Sequence, residues 1–211
     1  TDGSITSTVS ANTTAGFSIS TYTGTGANAT VGHGLTSAPT LMFVKSIGAA
    51  HSWRVYHKDL TSAAYILYLD SNDAQASEAT AWNSTAPTSS VFSVGSSNGT
   101  NKSSIVNVAY CFHEVEGFSK FGKYTGNGSA DGPFVWCGFR PAFVLVKEYT
   151  SADDWLIYDS SRDPYNVAGQ VLRPDSSVAE FDGRGGSRDM DILSNGFKFR
   201  SSNGTMNGSG V

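Results

Sequence analysis

The chain has 211 residues, a formal net charge of −4 and a pI near 5.5. With 14 Lys and Arg against 18 Asp and Glu, it lacks the clustered cations that carry phosphate-backbone binding, which argues against nucleic acid as a partner. No apolar run approaches the roughly 18 residues of a membrane-spanning helix, so no membrane insertion is expected. Only 15% of residues are charged, while 31 Ser, 19 Thr, 23 Gly and 12% aromatics fill the space. That balance favours short strands joined by tight turns.

Residues 1–15 read as a Ser/Thr-rich lead-in from an upstream region, without a secretory signal. The absence of an initiating Met points to a fragment or processed product. Apolar, β-branched runs of four to eight residues then recur between Gly, Asn, Asp, Ser and Pro, with no helical period. They predict strands over Phe17–Thr23, Leu41–Lys45, Ser52–His57, Tyr65–Asp70, Val91–Val94 and Val106–Glu114. The second half predicts strands over Phe118–Thr125, Phe134–Cys137, Ala142–Glu148, Trp155–Asp159, Met190–Ser194 and Gly196–Arg200. Asn-Gly pairs at Asn98, Asn127, Asn195, Asn203 and Asn207 read as tight turns. Cys111 and Cys137 sit in apolar runs and read as buried free thiols.

The landmarks repeat. Tyr22-Thr-Gly-Thr-Gly26, Ala38-Pro39, Leu41–Lys45 and Trp53-Arg-Val-Tyr56 recur as Tyr124-Thr-Gly-Asn-Gly128, Arg140-Pro141, Phe143–Lys147 and Trp155-Leu-Ile-Tyr158, each 102 residues later. Ser96-Ser-Asn-Gly-Thr100 recurs as Ser201-Ser-Asn-Gly-Thr205, 105 residues later. The pattern implies an all-β fold: a β-sandwich of jelly-roll or lectin-like type built from two tandem pseudo-repeats. Unit one spans 16–116 and unit two 117–211, the two sharing one core. Trp53 and Trp155 are expected to be equivalent core residues. After Thr205 no counterpart of Val106–Phe112 remains. The second unit therefore lacks a final strand, which a continuation of the polypeptide or a neighbouring chain is expected to supply.

Gly16–Gly26, Val31-Gly-His-Gly-Leu35, Thr85–Phe92, Tyr124–Phe134, Asp159–Asn166 and Ser194–Arg200 together resemble an uncharacterised all-β domain of tailed-bacteriophage structural proteins, often of marine phages. The resemblance implies a non-enzymatic virion domain: part of a tail or head fibre, an adhesin or a surface decoration. It implies a place on the particle surface, other virion proteins as partners, a homo-oligomer (a trimer favoured) and host-surface glycan as a candidate ligand. The alternatives are a carbohydrate-active depolymerase and a cellular extracellular lectin-like module.

No catalytic residue, metal ligand or cofactor motif stands out. No Gly-x-Ser-x-Gly elbow accompanies His33, His51, His57 and His113. His33, between two glycines, reads as a turn residue that hydrogen-bonds its own loop. Asp153, Asp154, Asp159, Asp163, Asp189 and Asp191 could pair as glycosidase carboxylates, but they flank strands, where turn acids belong. Trp82 has no repeat counterpart and lies in a polar stretch, which makes it a candidate exposed sugar platform. Arg162 and Tyr165, in a loop peculiar to the second half, are further ligand-contact candidates.

Overall fold

A computed structural model describes residues 2–210. The chain is all-β, with antiparallel strand pairs and two single-turn helices. It divides into two units: residues to Leu69 with Gln75–Gly122, and Asp70–Ala74 with the residues from Lys123 on.

Unit one contains β1 (Ser7–Asn12), β2 (Phe17–Thr23), β3 (Ala29–Gly32), β4 (Leu41–Ser46), β5 (Arg54–His57), β6 (Tyr65–Tyr68), β7 (Ala76–Ser77), β8 (Val91–Val94), α1 (Asn98–Asn101) and β9 (Val106–Phe112). Seven strands form one sheet in the order β1-β2-β9-β4-β5-β6-β7, and β3 pairs with β8 in a separate ribbon. Alternation along the strands sends Tyr22, Met42, Val44, Tyr56, Ala109 and Cys111 to one face of the sheet. Val31, Phe92 and Val94 of the ribbon meet them, closing a two-layer core. The central strand β9 places Cys111 between Ser18 and Met42, and Ala109 between Ser20 and Val44.

Unit two contains β10 (Phe134–Trp136), β11 (Phe143–Lys147), β12 (Trp155–Asp159), β13 (Gln170–Val171), β14 (Phe181–Asp182), β15 (Met190–Leu193), β16 (Gly196–Phe199) and α2 (Gly204–Asn207). β10, β16 and β15 form a three-stranded sheet; β11 pairs with β12, and β13 with β14. Val144, Val146, Leu156, Tyr158, Met190, Ile192, Phe197, Phe199 and Met206 pack as its core. The hydrophobic interior is thus two clusters, one per unit, where the sequence predicts a shared one.

One set of contacts occurs in both units and explains the Tyr-x-Gly-x-Gly motif. The Tyr22 hydroxyl donates to the Thr100 carbonyl (2.5 Å), and the Tyr124 hydroxyl to the Met206 carbonyl (2.6 Å). Asn101 Nδ2 donates to the carbonyls of Ala27 and Gly95 (both 2.7 Å), while its Oδ1 accepts from the Thr25 N–H (2.9 Å). Asn207 does the same with Ser129, Ser201 (both 2.8 Å) and Asn127 (2.8 Å). Gly24 and Gly126 lie so close to this turn that a Cβ on either would strike a backbone carbonyl oxygen, of Lys102 or of Gly208.

Several expectations need correction. Residues 118–125 form no strand. In unit one, β2 is held between β1 and β9; no described strand flanks 118–125 in that way. The lead-in is part of the fold: β1 extends the sheet, and Ile5 is buried beside Val31. Asn98-Gly99 and Asn203-Gly204 open helical turns, not hairpins, because Ser97 and Asn203 cap them by accepting from Gly99 N–H and Thr205 N–H. Matching those caps shifts the correspondence from 105 to 106 residues. Trp155 is buried, whereas Trp53 is half-buried on the sheet's outer face, tilted over Tyr110 at 6.0 Å. Both cysteines are free and buried, as predicted, and burial pushes the Cys111 thiol up to about 12.

Candidate functional site

The three-stranded sheet of unit two has an apolar inner face and an aromatic outer one. In Phe134-Val-Trp136, alternation turns Val135 inward and both aromatics outward. Phe197 and Phe199 of β16 face the core, which leaves Gly196 and Lys198 on the outer side, opposite Trp136 and Phe134. Phe134 is 43% exposed and Trp136 60%. An exposed indole on a strand, rather than on a loose loop, is a rigid apolar surface with few rotatable bonds to immobilise.

Glycines seat the two rings. The Phe134 ring lies over Gly196, where a Cβ would come within 3.1 Å of it. The Trp136 indole lies over Gly138, where a Cβ would come within 3.1 Å of Cζ2. Gly138 has φ +84°, a left-handed conformation that suits glycine. The carbonyl of Asn195 accepts from the N–H groups of Cys137 (2.9 Å) and Gly138 (3.1 Å), pinning the strand end that carries Trp136.

A polar network borders the aromatic pair at the Phe134 end. Lys198 Nζ pairs with Asp131 Oδ1 at 2.9 Å, and Arg200 Nη1 approaches the same oxygen at 3.6 Å. Arg200 Nε donates to Asp191 at 2.6 Å. The Lys198 hydrogen bond, with Arg200 nearby, holds the Asp131 carboxyl below its usual range. Asp131 is highly exposed, so its free lone pairs face solvent beside the rings. A flat apolar surface next to oriented donors and acceptors matches a pyranose ring, whose C–H face is apolar and whose hydroxyls need partners.

The corresponding ribbon of unit one, β3 with β8, carries no such aromatic pair among the described residues. By strand pairing, Thr30 lies opposite Ser93 and Gly32 opposite Val91, where unit two has Phe134 with Lys198 and Trp136 with Gly196. Ser4 covers the strand there, exchanging two 2.9 Å hydrogen bonds with Thr30.

The sequence-predicted ligand residues fare differently. Trp82 is no platform: it is 1% exposed, edge-on to Tyr56 at 5.9 Å, with its Nε1 unpartnered among the described residues. Its polar neighbours belong to the turn that carries the ring into the core. The Arg162 guanidinium is occupied by Glu180 and by the Ile157 carbonyl (3.2 Å). Tyr165 is 81% exposed. The repeat conceals Trp136 because its counterpart in unit one is Gly32, 104 residues earlier, and not the residue at the common offset of 102. The available signal was the bare alternation of Phe134-Val-Trp136 between Gly132 and Gly138.

Asp189 is buried with its Oδ1 unpartnered among the described residues, and burial raises its pKa; the other candidate carboxylates serve the scaffold. Asp154 pairs with Arg173 (2.8 Å) and Arg188 (3.5 Å), and buried Asp163 accepts from the N–H groups of Gly169 (2.8 Å) and Gln170 (3.1 Å). Asp159 accepts from the Ser161 N–H (2.7 Å), and Asp153 from the Thr205 hydroxyl (2.9 Å). Among the described residues no group of three or more His, Cys, Asp or Glu side chains is placed to hold a metal ion. His33 is buried in its own turn: Nδ1 accepts from the Leu35 N–H (3.1 Å), and Nε2 lies 3.1 Å from the Thr88 carbonyl.

Over residues 1–211 the sequence matches the family described as a domain of unknown function, DUF7483, and the chain belongs to that family. No curated protein and no solved structure matches it.

Proposed function

We propose that this member of the DUF7483 family is a non-enzymatic glycan-binding module of a phage particle, and that its sugar-binding surface is the outer face of β10 and β16. The exposed Trp136 carries the reading: it is rigidly seated, uncovered and bordered by the Asp131, Lys198 and Arg200 network. The engagement of Asp153, Asp154, Asp159 and Asp163 in scaffold contacts favours binding over hydrolysis. The phage-particle setting, with virion proteins as partners and a trimeric assembly, rests on the resemblance of the Gly16–Gly26 and Tyr124–Phe134 motifs.

A glycan array probed with the intact chain, followed by titration of the best hit, tests the reading. Trp136→Ala should weaken that binding by roughly tenfold or more, the scale of a lost aromatic contact of about 1.5 kcal/mol. An array without a hit, or a Trp136→Ala chain that binds as tightly as the parent, would overturn it.

A further inference from the structure

β4 and β11 occupy corresponding places in the two units but are paired differently. β4 has β5 on one side and β9 on the other. β11 has β12 on one side and, among the described residues, no strand on the other. The hydrogen-bonding phase of the hairpin follows from the Ser160 N–H donating to the Ala142 carbonyl at 2.9 Å. Every second residue shares that phase, so Val144 and Val146 bond to β12. The N–H and C=O groups of Phe143, Leu145 and Lys147 therefore point to the open edge. In β4 the same phase, marked by the Ile47 N–H to Val106 carbonyl bond of 2.8 Å, is consumed by β9.

The surroundings of the edge match those of the filled one. α2 packs by β11 as α1 packs by β4. The Tyr124 and Asn207 clamps reproduce those of Tyr22 and Asn101. Phe143 at the open edge is 57% exposed. We infer that the free edge of β11 is an acceptor for an extended, uncharged strand with the alternation of β9. The pattern required is the one β9 presents to β4: small Asn107, Ala109 and Cys111 toward the core, and Val108, Tyr110 and Phe112 outward. β9 carries no charge from Val106 to Phe112, and the open edge bears only Lys147, at its end. Main-chain bonds would supply affinity, and the small inward side chains selectivity. The inference is independent of the glycan reading.

The test is residue-resolved amide exchange of the intact chain, alone and with a synthetic peptide of residues 105–114. Alone, the amides of Phe143, Leu145 and Lys147 should exchange fast while those of Val144 and Val146 are protected. Saturating peptide should slow the first three by roughly tenfold or more, the protection expected of paired strand amides. A peptide of the same composition in scrambled order should leave them fast. Leu145→Pro supplies the discriminating variant: it removes only an N–H that faces the open edge, so the β11–β12 hairpin survives while the peptide effect is lost. The inference is overturned if the three amides are already slow in the monomer, if saturating peptide leaves them fast, or if Leu145→Pro responds like the parent.

Discussion

Trp82 and Trp136 show how little residue type says about place. Trp82 sits in a polar stretch and is buried; Trp136 sits in an apolar strand and is exposed. Trp82→Ala should cost about 3–5 kcal/mol of stability in urea unfolding, as large core truncations do. Trp82→Phe should cost less than about 1.5 kcal/mol, because the unpartnered indole N–H leaves with the larger ring. Trp136→Ala should change stability by no more than about 0.5 kcal/mol, which separates its loss of binding from misfolding. Asn101 is the opposite case, a polar residue whose whole role is internal. Asn101→Ala strands two carbonyls and one N–H in its turn and should cost about 3 kcal/mol by the same measurement.

At the scale of elements, strands with clear apolar alternation are the readable ones. Phe17–Thr23 and Val91–Val94 appear with the predicted bounds, because alternation alone states their pairing face. Residues 118–125 carry the same kind of pattern and form no strand, since a ladder needs a neighbour as well as a propensity. β1, Ser-Thr-Val-Ser-Ala-Asn, was unreadable for the opposite reason: it has almost no apolar residues, and pairing with β2 alone makes it a strand. The short turns at α1 and α2 depend on a close backbone approach. Gly24→Ala and Gly126→Ala should each cost about 1–3 kcal/mol through the carbonyl clash, measured as a shift of the urea midpoint.

At the scale of the whole molecule, pH acts through buried groups more than through the small net charge. Burial lowers the His33 and His57 pKa values from the ordinary 6.5. The unfolded chain therefore takes up protons that the folded chain refuses, and stability should begin to fall as pH drops through 6.5. Glu148 adds a second limb. Burial pushes its carboxyl up, but hydrogen bonds from Ser151 and Thr150 outweigh this and hold it below its ordinary 4.5. Its contribution is complete above 4.5 and is lost as pH falls through the lower folded value. Urea unfolding at a series of pH values should show both limbs, with Glu148→Gln shrinking the lower one, to which Glu114 with its two lysine partners also contributes.

Composition and alternation by themselves determined the all-β class, most of the strands and the buried state of both cysteines, because apolar period and turn chemistry are local properties of the chain. The Tyr-x-Gly-x-Gly landmarks were equally visible, though their cause, a hydroxyl and an amide clamping a distant turn, was not. Only the tertiary structure decided which tryptophan reaches solvent and where the acids find their arginines. Those outcomes depend on residues far apart in the chain meeting across the fold, and no window along the sequence contains both partners of such a contact.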